Sequence, residues 1–204
     1  MLDIGKFYFV GNNLAIDLIN TEVAVDGKPK DLLTSFEDLI AWSAATELLS
    51  AKDAKAGYAA WQSQAGEVLA EAVAFRSTLH EMLADIVGGK AIKKGHAAAI
   101  NDRLKANRGY SELIRTDEGY EKHFRADFSD VRQILIAVAE SAADLLAFGD
   151  LSLVRKCENP DCVLYFYDTT KNHKRRWCSM AACGNRAKVR AFYERKKRSQ
   201  SKKN

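Results

Sequence analysis

The four cysteines of this 204-residue chain all lie between positions 157 and 183, and the first 156 residues contain none. Cys157 and Cys162 form one C-x4-C pair and Cys178 and Cys183 a second, with fifteen residues between the pairs. Two thiol pairs flanking a hairpin-sized segment suit tetrahedral zinc. An iron–sulfur centre, paired disulfides and four unrelated core thiols are the alternatives. Disulfides belong mainly to exported chains. Here Asp3 and Lys6 precede only the brief Phe7–Val10 run, and no small-residue cleavage signal follows. Four thiolates fill a tetrahedron and leave no place for water, so a structural ion is expected rather than a catalytic one. Some fifty residues this poor in apolar side chains cannot hold a core by burial alone, so the metal supplies much of the folding energy.

The residues around the thiols read as knuckle, hairpin and helix. Glu158-Asn159-Pro160-Asp161 places turn formers between the first two ligands. Val163–Tyr167 is β-branched and aromatic, a strand candidate. Asp168–His173 reads as a polar turn with His173 at its tip, and Lys174–Trp177 as the returning strand. A helix is expected from Ser179, or from just past Cys183, to about Lys197. Gly184 fits a tight turn or a close approach of the backbone to the metal.

Charge divides the chain at the same place. Residues 151–204 hold 15 Lys/Arg against 4 Asp/Glu, a net of +11, whereas residues 1–150 hold 16 against 23, a net of −7. A short module this basic points to a polyanion, most simply nucleic acid. The candidate contacts are Arg175, Arg176, Arg186, Lys188, Arg190 and Lys197. On a helix Arg186 and Arg190 share a face that Tyr193 and Lys197 continue, leaving Val189 and Phe192, with Ala187 or Ala191, for packing. Arginine can neutralise phosphates and also read guanine in the major groove. A solvated helix that balances the acidic first part is the bland alternative.

Residues 1–150 read as mostly helical. Phe7–Val10 is a short strand candidate. Asn12 or Asn13 caps a helix through Leu14, Leu18 and Ile19, and Asp26-Gly27-Lys28-Pro29 is a turn signal. Thr34-Ser35-Phe36-Glu37 fits a capping box with Thr34 at the cap, followed by a helix burying Leu39, Ile40 and Leu48 or Leu49. A long helix is predicted over 54–87, with Gly66 inside it and Gly88-Gly89 at its end. Another is predicted over 95–114 through Ile100, Leu104 and Leu113. Residues 119–128 are ambiguous between a short strand and irregular packing. Ser129 is predicted to cap a last helix carrying Val131, Leu135, Val138, Ala142 and Leu145.

Asp17, Asn20 and Arg76 are candidates for a pocket that takes a small acidic effector, and equally for internal salt bridges and caps. No glycine-rich phosphate loop, H-E-x-x-H or serine elbow is present, so the chain is not expected to be an enzyme. The longest purely apolar run, Ile134–Ala139, cannot span a bilayer. A cytoplasmic protein without a membrane partner is expected.

Cys178-Ser179-Met180-Ala181-Ala182-Cys183-Gly184-Asn185-Arg186 resembles the signature of the CGNR zinc finger family. Cys157, Cys162, Asp168-Thr169-Thr170 and Arg175-Arg176-Trp177 strengthen the likeness. Phe9-Val10-Gly11-Asn12-Asn13-Leu14-Ala15-Ile16-Asp17-Leu18-Ile19-Asn20-Thr21 resembles the opening of the helical domain that usually accompanies that finger in stress-induced bacterial regulators, although glycine is more usual where Asn12 stands. Ser141–Leu146 fits as well. The resemblance implies Cys157, Cys162, Cys178 and Cys183 as Zn2+ ligands and DNA as the partner.

The expected fold is mainly α. A helical bundle-like regulatory domain with a small β element covers 1–150, a small α+β four-cysteine zinc finger covers 151–198, and 199–204 form a basic tail. The expected function is DNA-binding transcription regulation. A zinc-stabilised protein-interaction module using Tyr165, Phe166, Trp177 or Phe192, or an RNA-binding module, is the alternative. A homodimer, or another protein partner, is compatible with a single short finger.

Overall fold

A computed structural model describes residues 4–25 and 27–201. The expectations placed on Asp3, Asp26 and Lys202-Lys203-Asn204 lie outside the described residues. The first helix, α1 (Leu14–Ile19), is capped by Asn13, whose side-chain oxygen accepts from the amides of Ala15 and Ile16. Ala15, Ile16, Leu18 and Ile19 are buried. Phe7–Val10 is not a strand, in contrast to the sequence expectation. Tyr8 and Phe9 are exposed there, and the carbonyls of Val10 and Gly11 serve residues far along the chain. Strands β1 (Glu22–Val25) and β2 (Lys28–Asp31), which meet at the predicted turn, form an antiparallel hairpin, from Glu22 opposite Asp31 to Val25 opposite Lys28.

The capping box of α2 (Phe36–Ala45) sits one residue later than predicted. Ser35 is the cap and Asp38 the third helical residue. The Asp38 carboxylate accepts from the amides of Thr34 and Ser35 and from the Thr34 hydroxyl, which fixes the later register. The single helix expected over 54–87 is two: α3 (Ala51–Ala60) and α4 (Ala65–Val87), separated by Trp61 and a 3-10 turn. Trp61 ends α3 by folding its buried ring over Gly57. Open space surrounds Gly66, in the first turn of α4 just past the break, so it marks no close packing. Val68, Ala72, Phe75, Leu79 and Leu83 make the buried stripe of α4.

Helix α5 (Lys94–Leu104) is shorter than the predicted 95–114. The remaining residues enter an antiparallel hairpin of β3 (Gly109–Thr116) and β4 (Gly119–Ala126), in which Leu113 is exposed. Aromatic and β-branched residues around an Asp-Glu-Gly turn outweigh the helical spacing of Leu104 and Leu113. Ser129 does not cap the last helix of this part. Its amide donates to Asp127, and α6 (Gln133–Phe148) begins after Arg132, with Val131 buried ahead of it. Leu135, Val138, Ala142 and Leu145 are buried as expected. No helix of the described residues is long and apolar enough to cross a membrane.

Helix α1 packs against α4 and α6, α2 against α3 and α4, and α5 against α4 and α6. The same core continues into the cysteine-rich part through Val154, Leu164, Tyr165 and Phe166. Strand β5 (Val154–Lys156) lies against α4, and β6 (Tyr165–Tyr167) lies against α1. The two pair antiparallel, Val154 opposite Tyr167. The expected hairpin of Val163–Tyr167 with Lys174–Trp177 is therefore replaced. The partner strand lies upstream of Cys157, and Lys174–Trp177 is not a strand.

Candidate metal centre and nucleic-acid interface

The first knuckle starts where β5 ends. The Cys157 amide donates to Leu164 O at 2.9 Å, and the Cys162 amide closes the turn on Asn159 O at 2.9 Å. The second knuckle is a π-helical turn, Met180–Gly184, in which the Gly184 amide donates to Ser179 O at 3.0 Å. The tight turn expected at Gly184 is present, and a side chain there would meet Met180 Sδ at 2.7 Å. These turns bring the sulfurs of Cys157, Cys162, Cys178 and Cys183 within 4.8 Å of one another. Cys162 and Cys178 Sγ are 3.8 Å apart, and Cys178 and Cys183 Sγ 3.5 Å. Zinc–sulfur bonds of about 2.3 Å put tetrahedral sulfurs about 3.8 Å apart, so the four fit one ion.

The thiols cannot all ionise side by side without a cation. Hydrogen bonds from Cys162 and Cys178 pull the Cys157 thiol down to about 2, whereas the same contacts with Cys157 push Cys162 up to about 12 and raise Cys178 as well. A dication removes this conflict and turns all four into thiolates. Two further donors already point at the sulfurs. The Cys178 amide reaches Cys157 Sγ at 3.4 Å, and Asn159 Nδ2 reaches Cys183 Sγ at 3.3 Å. Asn159 is buried, a supporting role that the sequence signalled only as a turn former.

Arg175 is not an exposed contact residue. Its side chain donates to Trp177 O at 3.1 Å, Cys178 O at 2.5 Å and Val10 O at 2.9 Å, and its guanidinium lies 4.1 Å from the Phe166 ring centre. Its amide donates to the buried Asp168 carboxylate, which also accepts from the Thr170 amide and hydroxyl. Burial acts to raise the Asp168 carboxyl, and those Thr170 and Arg175 bonds outweigh it, leaving it below the usual range. Arg175 thus ties the second knuckle to the opening segment. The Tyr167 amide reinforces the tie through Gly11 O at 2.8 Å, and Asn12 Nδ2 donates to Tyr167 O at 3.0 Å. Asn12 takes a positive φ of 55° to do so, where glycine would be at ease.

The other candidate cations are on the surface. Arg176 pairs with Glu158 at 2.5 Å and Arg190 with Asp161 at 2.8 Å, both exposed pairs that a phosphate can displace at small cost. Arg186, Lys188, Arg190 and Lys197 are exposed along α7 (Asn185–Ser201). Val189 and Phe192 are exposed too, so the packing expected of them does not occur. Lys174, expected only in a strand and not as a contact, lines a groove of about 630 Å³ beside the knuckles with Thr169, Thr170, Arg176, Trp177 and Ser179. The run from Lys171 to Arg176 was its available signal.

Asp17, Asn20 and Arg76 do not converge on a cavity among the described residues. Asp17 accepts the Gly11 amide at 2.8 Å. Asn20 exchanges two hydrogen bonds with the Tyr165 backbone, both 2.9 Å. Arg76 is buried and grips Asp31 with both terminal nitrogens, at 2.7 and 2.6 Å, and Thr21 at 2.9 Å. All three hold the fold together, the internal role set beside the pocket reading.

The profile described as "CGNR zinc finger" matches residues 154–196. A second profile, ABATE, described as "Putative stress-induced transcription regulator", matches residues 12–149, most of the chain. The chain belongs to the ABATE family. A comparison with curated proteins found no match. The ABATE match begins at the Asn12 that bonds to Tyr167, and the finger match begins at Val154 in β5. The ABATE and finger segments therefore meet along β6, through Asn12 and Asn20, and the Arg175 grip ties the finger to Val10 just ahead of the ABATE match.

Proposed function

We propose that this ABATE protein is a cytoplasmic, non-enzymatic transcription regulator that holds Zn2+ at Cys157, Cys162, Cys178 and Cys183 and binds duplex DNA through its finger. The observation that carries this reading is α7. It is a basic helix, exposed at most positions from Asn185 to Lys197, and its first turn is anchored in the second knuckle. The ion fixes the direction in which the helix leaves the molecule. Arg186, Lys188, Arg190 and Lys197 meet phosphates or base edges, and Arg176 and Lys174 extend the footprint along the neighbouring groove.

The ABATE part controls how the finger is presented. A ligand or partner that shifts α1 also shifts Val10–Asn12, and with it the carbonyl that Arg175 grips. The protein-interaction alternative loses two of its contact residues, since Tyr165 and Phe166 are buried. RNA binding is distinguished by a preference for single strands that stack on aromatic rings.

The test is a salt titration of duplex binding by the zinc-loaded chain. Affinity falls as salt rises, and Arg186→Ala, Lys188→Ala and Arg190→Ala each lower the slope by about 1. A folded, zinc-loaded chain that ignores duplex DNA at low salt overturns the reading.

A further inference from the structure

The β3–β4 hairpin has no role in the finger, yet it leaves large apolar side chains exposed on both of its faces. Its strands are eight residues each and pack chiefly on one another. Leu113 and Tyr120 are each 70% exposed and Tyr110 is 64% exposed. A two-stranded ribbon alone is marginal in water; it needs further strands or a covering element. Its outer edges offer unpaired backbone groups, a template for another strand.

We infer that a second copy of this chain extends the hairpin's sheet, β4 pairing antiparallel with β4 of its twin across a two-fold axis. Such an axis normal to the sheet keeps side chains on their own faces, so only registers that place one residue opposite itself are available. Centring on Glu121 or on Lys122 sets like charges against each other. Centring on Phe124 sets Glu121 opposite Asp127. Centring on His123 sets Glu121 opposite Arg125 twice, by symmetry, and Lys122 opposite Phe124. It also overlaps nearly the whole of β4. The edge of β3 has no equal: centring on Glu112 opposes two carboxylates, and centring on Leu113 makes no ion pair.

Stacking the two hairpins face to face is disfavoured as well. The face holding Leu113, Tyr120 and Phe124 carries Arg115 and Lys122 with no acid, so two such faces repel. Edge pairing instead builds a four-stranded sheet, and each Arg125 meets Glu121 of the twin in addition to its own Glu112. Glu121 now pairs with His123 at 3.0 Å in its own strand and is free to turn outward. This inference is independent of whether the finger binds DNA.

The experiment is sedimentation of the zinc-loaded full chain with E121R and R125E made separately and then mixed. The wild type sediments as a dimer. Each variant alone opposes like charges twice and dissociates about tenfold more readily. Mixing them pairs unlike charges at both positions and restores the dimer. The mixture guards against misfolding, because a variant that failed to fold could not rescue its complement. A monomeric wild type overturns the inference and leaves the hairpin to a different partner. A dimer indifferent to both substitutions places the interface elsewhere and overturns it equally.

Discussion

Arg175 and Asp17 carry more than their side chains suggest. Arg175 spends its guanidinium on three backbone carbonyls, so Arg175→Ala leaves Val10 O, Trp177 O and Cys178 O without that donor. The expected outcome is a loss of about 2–4 kcal/mol and weaker zinc retention, measured by thermal unfolding and competition with a chelator. A variant that kept its stability and only lost DNA affinity would return Arg175 to the contact set. Asp17 is a case of burial against hydrogen bonding. Burial pushes its carboxyl up to about 6, against the amides of Gly11 and Val10, the Asn20 side chain and the Arg175 charge, which lower it. The folded chain holds the extra proton between the ordinary carboxylate value and about 6. Stability from Asp17 is therefore present at low pH and lost as pH rises through 6. Asp17→Asn keeps an oxygen for the Gly11 amide and removes the ionisation. Its stability relative to wild type rises by about 1–2 kcal/mol from about pH 5 to about pH 7, read from denaturant unfolding at each pH. A flat difference would refute the raised carboxyl.

Among the elements, those the sequence marked well are the ones whose signal is local. The Asn13 cap, the β1–β2 turn, the stripe from Val68 to Leu83 and the two knuckles each arise from neighbouring residues. The errors have two causes. Some are local competitions: Trp61 ends α3 because its ring finds Gly57, four residues back, and Asp38 sets the α2 cap one residue later. Others turn on a distant contact. Lys174–Trp177 is no strand because β5, upstream of the first cysteine, has already paired with Tyr165–Tyr167. Arg175 looked like one more cation in a basic run, since nothing nearby shows that Val10 O waits for it. The buried stripe of α4 gives a direct check. Phe75→Ala removes a fully packed ring and costs about 3–5 kcal/mol in denaturant unfolding. Arg186→Ala and Lys188→Ala, on exposed positions of α7, change the melting temperature little while weakening duplex binding. A large fall in stability from either would mean that α7 has a packing partner.

For the whole molecule, the core continues from the helices into the cysteine-rich part, so metal loss should be felt beyond the knuckles. Chelation releases Cys178, and with it the Arg175 grip. Hydrogen exchange then shows loss of protection over residues 154–184 and also at Gly11 and Asn12, while α4 and α6 stay protected. Exchange confined to the knuckles would mean that the opening segment is held without help from Arg175.

The bond between Arg175 and Val10 O joins residues 165 positions apart. Its consequence reaches into heredity. A finger that borrows a carbonyl from residue 10 is expected to be less stable after a recombination that copies only the coding region for residues 154–196. Its descendants must carry Val10–Asn12 along or evolve another acceptor. The acceptor is a main-chain carbonyl, so what must be kept is the path of the backbone at residues 10–12 rather than any one side chain, and chimeras between relatives should fold best when both halves come from one parent.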